Sequence, residues 1–459
     1  MSDFERFFRP HLDIVMGRAA QGLDAAGLEG ILIHSGGDKM QFLDDMPYAF
    51  KANPHFKSWI PLTQHPHCWL YFRPGDRPMI IYWQAEDFWH VPPSEPQGYW
   101  VDEFDLAVVR TAEQAQRLLP RDFDKIAVIA EDENLARSLG YKHINPKVVL
   151  NHLHYGRAKK TPYELLNMRG ASLRAARGHV AAEAAFRNGK SEHEIHLEYL
   201  RATLHTEAEL PYGNIVALND NGAVLHYNLL NRATPARVHS FLIDAGASYL
   251  GYAADITRTY SAKDDDFQSM INEMHALQLR LVSSARAGVN FADLHLQAHL
   301  EIAKFLSQQE IIKGTPEAAV ECGLTNVFFP HGLGHLLGLQ VHDIGGHMAD
   351  VSGLELQKPK GQPYLRLTRT LEAGFVVTIE PGVYFIDSLL RDSKKTAHGH
   401  MINWSRVREL RRYGGIRIED DIVIGEGEPE NLTRNAFDLA GTPPPPVAIP
   451  PPLSEFEDE

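Results

Sequence analysis

Two aspartates stand where aspartate is normally scarce. In "HSFLIDAGASYLGYAADITRTYSA", residues 239–262, Asp244 ends the apolar run Phe241-Leu242-Ile243, and Asp255 lies between Ala-Ala and Ile-Thr. Both stretches have the apolar and β-branched make-up of strands, from which Asp is depleted. Glu380 in "VVTIEPGVY" and Glu419 in "GGIRIEDDIVI" repeat the oddity. Any one of these acids alone reads as a salt-bridge partner or a strand-end residue. Together they need four nearby guanidiniums, and those strands carry only Arg258 and Arg417. Metal ions are the other means of holding buried carboxylates together. Four carboxylates balance two divalent cations and leave a neutral imidazole as fifth ligand, supplied by "FFPHGLGHLLGLQVHD" with His331, His335 and His342. Oxygen-rich ligation favours Mn²⁺, with Co²⁺ or Zn²⁺ as alternatives. Two such ions roughly 3.5–4 Å apart lower the pKa of a shared water and aim it at a carbonyl or phosphoryl centre, which is hydrolase chemistry.

Parity adds detail, because residues i and i+2 of a strand share a face. Thr257 falls beside Asp255, Thr378 beside Glu380, and Arg417 beside Glu419, opposite Ile416 and Ile418. The threonines are expected to orient carboxylates. Arg417 is expected to face the metals as an unpaired anion clamp, the alternative being that it only balances ligand charge. Two motif-like fragments are set aside. "GLGHLLG" has its third glycine one residue late for a dinucleotide loop and no clean strand before it. "HEIH" at 193–196 is one residue short of a zinc-protease helix motif, so His193 and His196 are expected on a solvated helix face.

The elements that must position these residues come in two blocks, as expected for 459 residues. "LEGILIHSG", "HCWLYFRPG", "RPMIIYWQ" and "DKIAVIAED" predict strands, with helices near 9–26 and 111–120 and no clustered catalytic set. They imply a smaller N-terminal α/β domain over 1–158. A restart follows, with Thr161 as N-cap, Pro162 at the first helical position and Glu164 closing a capping box; Ser191 and Glu194 repeat the spacing. Strands ("NIVALN", "SFLIDAG", "YAADITRTY", "GFVVTIEPGVYFI", "GIRIEDDIVIG") then mix with helix-period stretches without regular alternation, which predicts an α+β domain over 159–440. The Pro-rich, acidic tail over 441–459 is expected to be disordered.

The totals exclude several classes. A formal charge of −14 without a Lys/Arg tract argues against nucleic-acid binding. No apolar run is long enough to cross a membrane, and the charged start "MSDFERFFRPHLDIV" lacks a signal-peptide core. Cys68 and Cys322 read as idle thiols in a reducing compartment, so a cytoplasmic location is expected.

"DAGASYLGYAADITRT", "HGLGHLLGLQVHD", "IEPGVY" and "GGIRIED", in this order after a "KTPYELLNMRGA" helix, resemble the pita-bread (creatinase/methionine aminopeptidase-like) metallopeptidases. Within that family they are most similar to the bacterial Xaa-Pro dipeptidases (prolidases). "FLDDMPYAFKANPHFKSW" resembles the N-terminal domain of the branch that includes organophosphorus acid anhydrolases. The resemblance implies a pita-bread catalytic domain with Asp244, Asp255, His335, Glu380 and Glu419 as ligands. Asp255 and Glu419 would bridge two metals, Asp244 would complete one, and His335 and Glu380 the other. Glu380 would also carry a proton to the leaving proline nitrogen. His226 of "AVLHYN", His331, His342, Arg417 and Tyr212 would stand on the substrate side. A homodimer is implied as well, with Asp45 reaching the partner's site.

The implied reaction is hydrolysis of dipeptides with C-terminal proline. That bond has no scissile N–H and populates cis as well as trans, the trans form being the one expected to react. An Xaa-Pro aminopeptidase acting on longer peptides would share all five ligands and is the alternative. A metal-free binding protein of the same fold is disfavoured by the full ligand set. Hydrolysis of organophosphorus esters or fluorides would be a side activity of the same site, its extent set by pocket shape.

Overall fold

The computed structural model describes residues 2–441, so all but the first residue of the Pro-rich tail lies outside the described residues. The helix Asp3–Ala26 opens on a capping box of Ser2 and Glu5 and closes on Gly27, whose φ of 66° suits glycine. Its apolar face (Leu12, Val15, Ala19) packs with Ile31 and Ile33 of a six-stranded sheet. Across the sheet the strands run Asp105–Val109, Met79–Trp83, Trp69–Phe72, Gly30–His34, Ile126–Ile129 and His143–Ile144. The three middle-left strands pair antiparallel, with Ile33 opposite Leu70 and Leu70 opposite Ile80; the outer pairings are parallel. All four strands read from apolar runs are present. The edge strand Asp105–Val109 buries only Val109.

The C-terminal half starts as its capping boxes predict, with helices Pro162–Arg187 and Glu192–Thr203. An antiparallel sheet follows, with Ser240–Asp244 between Thr257–Ser261 and Ile215–Leu218. Val376–Ile379 pairs with Asp420–Val423, and Gly382–Tyr384 with Gly415–Arg417. Single bridges join Thr257 to Glu419 and Leu336 to Val377, tying these ladders together. Helices Asp266–Ser284 and Phe291–Gln308 bury Met274, Leu277, Leu294 and Ala298 in one core with Ile379, Ile416, Ile418 and Ile422. Helices lie against largely antiparallel sheets, the α+β arrangement expected.

The apolar runs that carry the acids do not form unbroken strands. Asp244 is the last residue of its strand, and Asp255 falls between Tyr252–Ala253 and Thr257–Ser261. Glu380 lies between Val376–Ile379 and Gly382–Tyr384, where Pro381 has no N–H for a ladder. Glu419 lies between Gly415–Arg417 and Asp420–Val423. Each gap releases one acid from strict alternation, so several segments can turn their carboxyls onto a common point.

One helix face also departs from expectation. His196 is 3% exposed, with Nε2 2.8 Å from Glu207 Oε2 and Nδ1 facing Asn214 Nδ2. The turn after the helix folds back over it, which the helix's own sequence does not announce. His193 is half-buried.

The two halves share a buried cluster that runs from Ile33 and Leu70 through Phe56 and Trp59 to Tyr163, Tyr252 and Leu339. At this seam Asp343 accepts hydrogen bonds from Arg157 Nη2 and, at 2.9 Å, from Lys160 Nζ, all three side chains being buried.

Candidate metal centre

The gaps bring five donor side chains together. Asp255, His335 and Glu419 offer ligand atoms that all lie within 4.8 Å of one another. His335 Nε2 is 3.4 Å from Asp255 Oδ2 and 3.7 Å from Glu380 Oε1. The Tyr212 hydroxyl joins Asp244 to this group, at 2.8 Å from its Oδ1 and 2.5 Å from Asp255 Oδ1. His335 Nδ1 faces its neighbour Leu336 O at 3.0 Å and donates to it, which turns the lone pair of Nε2 toward the acids.

Neighbouring hydroxyls hold the carboxyls in place. Thr257 Oγ1 donates to Glu419 Oε2 at 2.5 Å, so the acid it orients is Glu419 across the single bridge and not Asp255, its parity partner. Thr378 Oγ1 accepts from the His335 N–H at 3.0 Å and donates to Glu380 Oε1 at 3.4 Å, so one hydroxyl ties the two residues together. The close approach of the His335 loop to that strand needs glycine. A Cβ at Gly334 would lie 1.9 Å from Thr378 O.

Electrostatics favour a cationic occupant. Burial pushes the carboxyls of Asp244 and Glu419 up, Glu419 far above its usual range, and pushes Glu380 up to about 7. Burial works the same way on Asp255, but His335 beside it outweighs that and holds this carboxyl down. Four acids facing one guanidinium and one imidazole carry excess negative charge. Four carboxyls, an imidazole nitrogen and buried surroundings form the oxygen-rich set that divalent metal ions take. The donor set therefore fits the metals its chemistry implies.

Asp244, Asp255, Tyr212, His226 and His342 line a cavity of about 1760 Å³ that both halves of the chain enclose, with Lys51 and Lys57 on the N-terminal side. The His342 ring stands edge-on to His335, centroids 4.5 Å apart. His331 lies beside Glu380, with Nδ1 3.5 Å from Oε2, and its Nε2 meets the Tyr384 hydroxyl at 2.8 Å. Arg417 is not the unpaired guanidinium that parity alone suggests. It is 4% exposed and donates to Asp244 Oδ2 at 2.7 Å, Tyr384 OH at 2.8 Å and Thr257 Oγ1 at 3.1 Å. Asp45 is exposed on a loop closed by the Met40–Pro47 bridge and does not line this cavity.

Two residues here escape the sequence reading. Tyr384 connects His331 to Arg417; it follows the break at Pro381, where counting by twos from Glu380 loses its meaning. Asp421 is fully buried, and its Oδ2 accepts the Asp255 N–H at 3.0 Å. Burial pushes its carboxyl far up. It stands two residues after Glu419, on the strand that begins past the gap at that acid.

Comparison with known proteins agrees with this geometry. Residues 6–155 match the family model "Xaa-Pro dipeptidase, N-terminal domain", and residues 166–426 match "Metallopeptidase family M24". The chain is similar to an Xaa-Pro dipeptidase of Xanthomonas euvesicatoria, 50% identical over 94% of this chain and 97% of that one. It is similar also to an Xaa-Pro dipeptidase of Shewanella woodyi, 46% identical over 95% of this chain and 99% of that one. Among solved structures it shares its fold with aminopeptidase P from Escherichia coli, with a TM-score of 0.69 at 23% identity over 96% of this chain and 98% of that one. The chain belongs to metallopeptidase family M24, with Xaa-Pro dipeptidases as its relatives.

Proposed function

We propose that the protein hydrolyses dipeptides with C-terminal proline, with two divalent metal ions held by Asp244, Asp255, His335, Glu380 and Glu419. The observation that carries this reading is the convergence of four acids and one imidazole, two of the acids, Asp244 and Asp255, lining a cavity to which both halves of the chain contribute. Kinship at 50% identity with a protein of that activity supports it. The metal ions, when bound, supply an activated water and polarise the scissile carbonyl. Asp244, Asp255, His335, Glu380 and Glu419 would hold the ions between them. Glu380 also carries the proton from the attacking water to the proline nitrogen. His226, His331 and His342 receive the dipeptide's carboxylate and the developing oxyanion, and Tyr212 orients the acids that face the substrate. Arg417, already bonded to Asp244 and Tyr384, is assigned to holding Asp244 and balancing ligand charge. The oxygen-rich donor set favours Mn²⁺ over Co²⁺ and Zn²⁺.

The test is hydrolysis of a panel by metal-loaded enzyme: Xaa-Pro dipeptides, an Xaa-Pro tripeptide and a fluorophosphonate. Dipeptides should be the best substrates, chelation should abolish turnover, and Mn²⁺ should restore it most fully. Turnover indifferent to a chelator would remove the metal reading. One observation favours the aminopeptidase alternative: the cavity exceeds the roughly 300–1,000 Å³ usual for a small-molecule site. Faster cleavage of the tripeptide than of any dipeptide would establish it. Measurable fluoride release from the fluorophosphonate would show the organophosphorus side activity.

A cytoplasmic homodimer completes the proposal. The loop that carries Asp44 and Asp45 also exposes Phe42 (90%) and Leu43 (91%), an apolar and acidic tip with nothing packed over it in this chain. The cavity presents Lys51, Lys57 and Arg174. Charge and shape suit the insertion of one protomer's loop into the other's cavity mouth, with Asp45 as the residue that reaches in.

A further inference from the structure

Glu192 is the first residue of the helix Glu192–Thr203, and it is 1% exposed. Four donors, one at the end of the strand Ile215–Leu218 and three on the segment after it, meet its carboxylate. Oε1 accepts from the Leu218 N–H and from Asn221 Nδ2, each at 2.8 Å. Oε2 accepts from the Tyr227 hydroxyl at 2.7 Å and the Asn231 N–H at 2.9 Å. The same hydroxyl accepts from Asn221 Nδ2 at 3.0 Å and Asn231 Nδ2 at 2.8 Å, so Tyr227 and both asparagines form one closed network on the acid. A buried carboxylate satisfied by neutral donors is a demanding arrangement, since every lost partner leaves part of the charge unsolvated.

That demand fixes the loop at residues 218, 221, 227 and 231. Other contacts hold its ends, the His193 N–H donating to Asn231 O at 3.1 Å and Asn219 Nδ2 to Arg237 O at 2.8 Å, and Tyr227 packs with Ile215, Ala217 and Leu242; none of these holds Asn221. After the short helix Asn219–Ala223 the segment has no regular structure until Ser240, and Val224 (54%) and Leu229 (73%) are exposed. Between two of the anchored points lies His226, exposed and lining the cavity that Asp244 and Asp255 also line. Tyr227, the next residue, is buried, and its N–H closes a turn on Val224 O at 3.2 Å. The anchor on Tyr227 therefore sets the direction in which His226 leaves the backbone.

We infer that Glu192 is a positioning residue for the reaction, holding the His226 loop so that the imidazole stands ready at the cavity wall before substrate arrives. The inference rests on the reading of His226 as a substrate-side group. It deepens that reading by explaining how an exposed side chain on an irregular loop keeps one position.

The experiment is a double-mutant cycle on metal-loaded enzyme with an Xaa-Pro dipeptide. Glu192→Gln replaces two acceptor sites by an NH₂ that cannot accept, and should lower kcat/KM roughly tenfold, mostly through KM, with metal content unchanged. His226→Ala should lose at least as much. The double variant should be no worse than His226→Ala alone, since a misplaced ring that is already absent costs nothing more. Tyr227→Phe, which removes a single hydroxyl, should behave in the same direction and with the same non-additivity if Glu192→Gln folds poorly. Losses that multiply in the double variant, or a Glu192→Gln enzyme with wild-type kcat/KM beside a crippled His226→Ala, would overturn the positioning role. A His226→Ala enzyme with full kcat/KM would overturn the substrate-side reading itself, and the inference with it.

Discussion

Asn at position 255 would keep the size of the aspartate and remove one charge from the acid nearest His335. Two cations would then face three carboxylates, so Asp255→Asn should lose most bound metal and nearly all activity, as elemental analysis and dipeptide turnover would show. Glu380→Gln is a different case. The amide can still ligate through its oxygen but cannot accept and return a proton, so kcat should fall by orders of magnitude, well beyond any fall in metal occupancy. Loss in strict proportion to metal content would remove the shuttle role. At Arg417 the geometry reverses the sequence expectation. Because the guanidinium is bonded to Asp244 and Tyr384, Arg417→Met should release metal and harm Xaa-Pro and Xaa-Pro-amide alike. A KM rise confined to the free-acid substrate would show instead that the remaining N–H groups clamp a carboxylate.

Elements explain how much of this could be read beforehand. The five proposed ligands were legible because each is an acid or histidine in an apolar setting, and such residues are scarce enough to stand out. The helix starts at Thr161 and Ser191 were legible because capping boxes are local chemistry. What hid was whatever depends on a ladder ending. Strand gaps at Asp255, Glu380 and Glu419 shift parity, so the partner of Thr257, the role of Tyr384 and the pairing of Arg417 were all out of reach. Burial of His196 hid for a similar reason, since a distant turn supplies its cover. The His335 loop offers the element-scale test. Gly334→Ala puts a Cβ 1.9 Å from the Thr378 carbonyl, so the loop must move off the strand. Lower melting temperature and loss of metal should appear together; a variant with native metal content would show that the loop has slack.

The whole molecule adds two expectations. Sedimentation at working concentration should show a dimer, and a fully active monomer would remove the proposed loop exchange. At the seam, the guanidinium of Arg157 and the ammonium of Lys160 outweigh burial and hold the Asp343 carboxyl below its ordinary range. A depressed folded-state pKa contributes stability that is complete above the unfolded value, about 3.9, and is lost as pH falls through the folded value. Asp343→Asn should therefore destabilise the protein at neutral pH, by about 3–5 kcal/mol for a broken buried pair, and the penalty should shrink in acid, as melting curves across pH would show. The apolar cluster that crosses the seam makes the two halves thermodynamically one body. Melting of either half would expose apolar surface of the other, so calorimetry should record a single transition. Any ion that binds the folded catalytic half then stabilises the N-terminal sheet by the same mass action. Five of the chain's six tryptophans (Trp59, Trp69, Trp83, Trp89 and Trp100) lie in that N-terminal half, far along the chain from every ligand. Their fluorescence during thermal unfolding should rise or fall in midpoint with the concentration of free metal, so that a titration of the catalytic centre can be read from a domain that supplies none of its ligands.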